Sequence, residues 1–174
     1  MAINTEPDIH QLVVCANIFI RKGDKYLVLR RSPLKRFAPG VVHPVGGKVD
    51  PGEDAFGAAL REVREEAGVS VKNIRLEAVI NEILPPPDRN YNWLIFHFTA
   101  DYDAGEVTTT EEGELVWMTV EEIKAEKLFQ SVRPLVSQML DPRVGTVFAT
   151  FTYKPDGEID ESQSIIQECA RYPW

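Results

Sequence analysis

Val- and Ile-rich segments precede, separate and follow two helical regions, and this alternation predicts an α/β or α+β domain with a mixed sheet. A length of 174 residues suits one domain, expected over 1–174 with its core at about 11–168, and large enough to fold without covalent staples. Hydrophobic residues at 44 % and charged residues at 26 % sit close to the globular average, so a packed core is expected rather than a disordered chain.

Residues 11–20 form a β-branched, apolar run that reads as a strand, and Gly23-Asp24 turns it into a partner over 25–31. Residues 32–40, with Pro33, Pro39 and Gly40, have loop chemistry. A short apolar stretch over 41–45, interrupted by His43 and Pro44, runs into Gly46-Gly47. Pro51-Gly52-Glu53-Asp54 opens the clearest helix, expected over about 54–67 and closed by Gly68. Phe56, Leu60, Val63 and Ala67 recur at helical spacing and predict its apolar stripe. Strands are expected over 74–84 and 92–101, separated by the stiff Pro85-Pro86-Pro87-Asp88 loop; His97 falls inside the second, as a packed or edge-strand residue. A short strand over 115–118 and helical pieces over 120–126 and 131–140 follow. Residues 147–153 and 158–167 flank Lys154-Pro155-Asp156-Gly157 as a hairpin, and the tail from Ala170 is expected to fray.

Nineteen Lys+Arg against 27 Asp+Glu give a net charge of -8, which argues against a sequence-independent nucleic-acid binder, whose grip depends on neutralising phosphates. The same balance argues against an anionic membrane surface. Cys15 and Cys169 are far apart and in no metal-binding spacing, which predicts free thiols. The first eight residues carry two acids and no Lys or Arg, unlike a signal peptide, and the longest apolar run, 12–20, falls far short of the ~20 residues of a membrane span. A cytoplasmic location is therefore expected. An anionic small substrate stays possible if something local reverses the sign of the charge.

At about 100° per helical residue, Glu62, Glu65 and Glu66 share one face while the apolar stripe points elsewhere. Ala55, Ala58 and Ala59 lie beside that face and are small enough to leave room for a ligand. Three neighbouring acids repel one another; Arg61 and Arg64 relieve part of this, and a divalent cation relieves more. Hard cations such as Mg²⁺ take oxygen ligands and pair one or two carboxylates with substrate phosphates. On the helix alone, a solvated, salt-bridged face is the alternative reading.

The surroundings extend the pattern: Gly47, five residues, Glu53, seven residues, then Arg61-Glu62-Val63-Arg64-Glu65-Glu66-Ala67-Gly68-Val69. This resembles the Nudix box, the signature of hydrolases that act on nucleoside diphosphates linked to another group, and all nine specified positions match across 23 residues. Outside the box, Glu111-Glu112-Gly113-Glu114-Leu115-Val116-Trp117 and the hairpin beginning Val147-Phe148-Ala149-Thr150-Phe151 resemble the oxidised-purine nucleoside triphosphate diphosphatase branch. The resemblance implies a Nudix-type α/β/α sandwich and Mg²⁺ or Mn²⁺ held by Glu62, Glu65 and Glu66. It adds the Gly46 carbonyl as a further ligand and Glu112 as a ligand or base. Arg61 would orient the carboxylates, Glu53 would support the loop or hold metal through water, and Glu62 is a candidate base.

The chemistry so implied is attack by water on a nucleoside triphosphate, oxidised ones such as 8-oxo-dGTP included, to give a monophosphate and pyrophosphate. Arg31 and Lys48 are candidates for the outer phosphates, beside Arg30, Lys35 and Arg36, and Phe129 for stacking on the base or for the core. Tyr91 and Trp93 carry the same two readings, and His43 could touch ligand or hold its loop. In the branch resembled, acids after the tryptophan strand read the base, whereas Leu128-Phe129-Gln130-Ser131 holds none. The partner expected is a small-molecule nucleotide, with no nucleic acid and no membrane, for a monomer or homodimer. ADP-ribose or nucleotide-sugar hydrolysis is the alternative, with Pro85 placed 16 residues after Val69 as in ADP-ribose hydrolases. A nucleotide-sensing domain without turnover is the third reading.

Overall fold

The computed structural model describes residues 11–84, 91–108 and 112–169. Strands β1 (Leu12–Lys22) and β2 (Lys25–Arg31) form the expected hairpin, followed by β3 (Val42–His43) and β4 (Val45–Lys48). Helix α1 (Ala55–Glu62) continues into a π-helical turn over Val63–Ala67. Then come β5 (Val69–Ile83), β6 (Asn92–Gly105), β7 (Gly113–Thr119), α2 (Val120–Ala125), α3 (Val136–Met139), β8 (Val147–Thr152) and β9 (Ile165–Glu168). Among the described residues the strands form one sheet in the order β3-β2-β1-β6-β5-β8-β9, with β4 also on β1 and β7 also on β2. The sheet is mixed: β1 runs parallel to β6 and β5 parallel to β8, while the hairpins are antiparallel.

Side chains alternate across a strand, so each face of the sheet must find its own cover. Ile18, Ile20 and Leu27 pack with Val45 against Ala58, Ala59 and Val63 of the first helical region. Phe19, Val28 and Ile80 pack on the opposite side against Ile123 of α2 and Leu135 and Met139 around α3. The result is the expected sandwich with helices on both faces.

The helix departs from its expected form in two ways. Asp54 caps it, accepting the Gly57 N–H at 2.7 Å, but beyond Glu62 the turn widens, and the Gly68 N–H reaches back five residues to the Val63 carbonyl at 3.1 Å. The arc drawn at 100° per residue therefore stops applying at the acids, and such widened turns recur at functional sites. The apolar stripe is borne out at its end, where Val63 and Ala67 are buried, but not at its start. Ala58 and Ala59 are fully buried, whereas Phe56 is 49 % exposed and only touches Phe98 edge-on at 6.3 Å between ring centres. Small side chains let the helix backbone close onto the sheet, so the room beside Ala58 and Ala59 is filled by the sheet rather than left for a ligand.

Elsewhere β5 and β6 run longer than expected because each pairs along almost its whole length with the other. Only one turn of the helix expected over 131–140 forms, α3. The Lys154-to-Gly157 turn is present, its Gly157 N–H on the Lys154 carbonyl at 3.0 Å, and Tyr153 pairs antiparallel with Ile159 across it; the regular ladder with β8 then resumes at Ile165 after a second turn held by Asp160. Pro85 to Asp88, Glu111 and the tail from Ala170 lie outside the described residues. Both cysteines are free thiols, Cys15 buried and Cys169 exposed.

Candidate active site

Two glycines bring strand β4 against the acidic end of the helix. Gly46 pairs with Asn17 of β1 at φ 153°, and a Cβ there would lie 2.6 Å from the Asn17 Cα, so only glycine allows the approach. The Gly46 N–H donates to Glu66 Oε2 at 3.1 Å. A Cβ on Gly47 would occupy the place of the Glu62 carboxylate. The paired glycines thus seat Glu62 and Glu66 against a strand edge that any side chain would have closed.

Arg61 ties the remaining acids together. Its guanidinium donates to Glu62 at 2.8 Å and Glu65 at 3.2 Å, to Glu53 at 3.0 Å, and to the Lys48 carbonyl at 3.0 Å. Glu53, then Glu62, holds the guanidinium's pKa above its usual value, and Arg61 holds the Glu53 carboxyl below the usual range. A planar fork meeting several carboxylates at fixed angles is a task for Arg rather than Lys.

Glu66 has a different environment. Burial, opposed by the Gly46 N–H and reinforced by the charges of Glu62 and Glu112, pushes its carboxyl up to about 7. Glu112, 46 positions later in the sequence, is therefore within electrostatic reach of the helix acids. Lys35 contacts it at 2.6 Å and holds its carboxyl below the usual range. Among the described residues no three His, Cys, Asp or Glu side chains converge on one point where a metal ion would sit, because Arg61 draws Glu62 and Glu65 to itself.

Of the residues expected to bind substrate, Arg31 and Phe129 line one cavity of about 220 Å³ that opens beside Gly46 and Gly47. Phe129 stacks on Phe37 with ring centres 6.0 Å apart and meets His43 edge-on at 5.9 Å. Lys48 is not among the lining residues; its Nζ lies 6.0 Å from the ring centre of Trp93, which is. Arg30 does not join them; it is paired with Glu126 at 2.6 Å. Cys15, Asn17, Glu82 and Ser131 also line the cavity, and sequence reasoning missed them. The alternation of Trp93, Ile95 and His97 was the available signal, but only the parallel register of β1 on β6, Cys15 opposite Ile95 and Asn17 opposite His97, places these strands side by side.

His97 and His43 are buried cavity residues whose ring nitrogens include unpartnered atoms. Burial, with a smaller push from His43, lowers the His97 pKa to about 3, and burial with Arg31 lowers that of His43 to about 4. Both rings are neutral in the fold, whereas the unfolded chain takes up their protons near 6.5. Between 6.5 and about 4 the unfolded state therefore binds more protons, so this contribution is complete above 6.5 and is lost as pH falls through that window. Glu66 acts in the opposite sense, costing stability as pH rises from 4.5 to about 7. A His97→Phe variant isolates the imidazole. Its melting temperature is expected to fall less than the wild type's between about pH 7.5 and about pH 5, and equal falls would refute the buried neutral ring.

The fold is thus a mixed-sheet sandwich that holds the acids of one helix end against a glycine strand. The NUDIX domain family pattern matches residues 10–139, and the chain belongs to that family of hydrolases. It is 31 % identical over 147 residues to YvcI of Bacillus subtilis, an uncharacterized Nudix hydrolase, covering 82 % of this chain and 88 % of that one. It is 34 % identical over 131 residues to the NAD-capped RNA hydrolase NudC of Stutzerimonas stutzeri, covering 74 % of this chain but only 44 % of NudC. The mutator MutT protein of Bacillus halodurans superposes with a TM-score of 0.74 at 24 % identity over 88 % of this chain and 97 % of the other, a likeness of fold. No described helix is long and apolar enough to cross a membrane.

Proposed function

We propose that the protein hydrolyses nucleoside triphosphates, oxidised purine triphosphates among them, to a nucleoside monophosphate and pyrophosphate, with Mg²⁺ or Mn²⁺ as cofactor. The observation that carries this reading is Glu66, a carboxyl sunk beside Gly46, within reach of the Glu62 and Glu112 charges, where the aromatic-walled cavity opens. The donor set suits a hard divalent cation: carboxylate oxygens of Glu62, Glu65, Glu66 and Glu112, with the Gly46 carbonyl. When bound, such a cation screens phosphate charge, polarises the phosphoryl oxygens and acidifies water.

The chain's own groups supply the rest. Arg61 holds Glu62 and Glu65 by their carboxylates and anchors both to the Glu53 loop. Glu62, seated over Gly47, accepts the proton of the attacking water. Arg31, in the cavity wall, and Lys48, beside Trp93, meet the outer phosphate oxygens, and Phe129 backed by Phe37 stacks on the base. Lys35 neutralises Glu112 until substrate arrives.

The likeness to NudC, an NAD-capped RNA hydrolase, supports a second reading, hydrolysis of a nucleoside diphosphate linked to a sugar or to a second nucleotide, as in ADP-ribose, nucleotide sugars or NAD. Incubation with Mg²⁺ and a panel of ribo- and deoxyribonucleoside triphosphates, 8-oxo-dGTP, ADP-ribose, NAD and nucleotide sugars, followed by identification of the phosphate products, separates the two. Pyrophosphate and a monophosphate from a triphosphate are expected. Two monophosphate esters formed only from the dinucleotides or sugars would favour the second reading.

A further inference from the structure

We propose that Glu82 is the residue that selects the nucleobase, that it favours a base presenting two adjacent N–H donors as guanine does, and that Tyr153 positions it. The proposal rests on the triphosphate reading above.

In the antiparallel pairing of β5 with β6, Glu82 stands opposite Trp93, and residues opposite one another share a face of the sheet. That face, continued across β1 by Cys15 and Asn17, is one side of the cavity; Phe129, stacked on Phe37, is the other. Among the described residues that line it, Glu82 is the one carboxylate. It is held from behind. The Tyr153 hydroxyl donates to Glu82 Oε1 at 3.2 Å, and the same phenol bonds the hydroxyl of Ser131, which is fully buried. This chain joins three separate elements, β5, the end of β8 and the segment before α3, so the carboxylate has a fixed place in the wall.

An acid on the wall of a cavity meant for a polyanion meets the phosphates unfavourably and is suited to accept N–H bonds from the rest of the ligand. The phosphates offer it no donor; the base and the ribose hydroxyls do, and the base is the part of the nucleotide that Phe129 would hold against this face. A carboxylate accepts two parallel N–H bonds best, which is the geometry of its pairing with guanidinium. Guanine offers that edge, with its ring N1–H beside the exocyclic amino group. Hypoxanthine lacks the amino group, adenine and cytosine set their amino group beside an acceptor nitrogen, and uracil flanks its one N–H with carbonyls. A site whose polar groups are left unpaired by the wrong ligand discriminates strongly.

GTP and inosine triphosphate differ only in the 2-amino group, and their ratio of kcat/KM reads the proposal directly. The wild type is expected to prefer GTP by about ten- to a hundredfold, the range of a hydrogen bond to a charged group. Glu82→Gln keeps the shape but turns one acceptor into a donor, and should bring the ratio to within about threefold, chiefly through the KM for GTP. Tyr153→Phe should lower the ratio part of the way, whereas a tyrosine with only a structural role would depress both substrates alike. A wild type indifferent to the amino group, or a Glu82→Gln enzyme that keeps the preference, would overturn the proposal. Should no triphosphate be hydrolysed, the reaction assigned above fails, and binding decides the base independently through quenching of tryptophan fluorescence by guanosine and inosine monophosphates. Tighter binding of the guanosine nucleotide, lost in Glu82→Gln, sustains the role of Glu82; equal binding in both proteins ends it.

Discussion

Glu66→Gln is expected to lower kcat by at least about 10²-fold while leaving the fold intact or more stable. The substitution keeps the side chain's volume and leaves an amide oxygen for the Gly46 N–H, so the contact between helix and strand survives. What is lost is a negative charge beside the phosphates. The carboxyl is already pushed up to about 7 by burial and by Glu62 and Glu112, so at alkaline pH the native protein holds an unfavourable charge that the variant does not. Activity and melting temperature should therefore move in opposite directions above about pH 7, a pattern that damage to the fold cannot produce. Glu65→Gln should lose activity on a similar scale with almost no structural effect, because that side chain is 60 % exposed. Full turnover in both variants would remove the cation from the proposal.

Arg61→Ala should raise the Mg²⁺ concentration for half-maximal rate by about 10- to 100-fold, the usual cost of losing a group that orients metal ligands. One guanidinium fixes Glu53, Glu62, Glu65 and the Lys48 carbonyl, so its removal frees three acids to repel one another and detaches the loop before the helix. Arg61→Lys restores the charge but not the fork, and is expected to recover little of the loss. A titration of rate against Mg²⁺ at saturating nucleotide checks this. If Arg61→Lys matches the wild type, charge alone accounts for the role of Arg61, and orientation does not.

The helix and its partner glycines could be read from the sequence because their determinants are local. Asp54 as cap, Gly68 as terminator and the Gly47-to-Val69 spacing each act within a few turns of chain. The face that the helix buries was legible only at Val63 and Ala67, not at its first turn. It depends on how closely the backbone approaches the sheet, and there the volumes of Ala58 and Ala59 outweighed the periodicity of Phe56 and Leu60. The widened turn after Glu62 was hidden for the same reason, since an extra residue in one turn carries no compositional mark.

By itself the sequence determined the class of fold, the acidic helix end and the family, all of which rest on short-range spacing. Only the tertiary structure decided what stands around those acids. It brought Glu112 within reach of Glu66, gave Lys35 to Glu112 as a counter-charge, and assembled the cavity from Asn17, Glu82, His97 and Phe129. These residues come from different elements, and their meeting is set by strand register and by which loop covers the sheet. A shift of one residue in either pairing would turn each of the strand side chains to the opposite face.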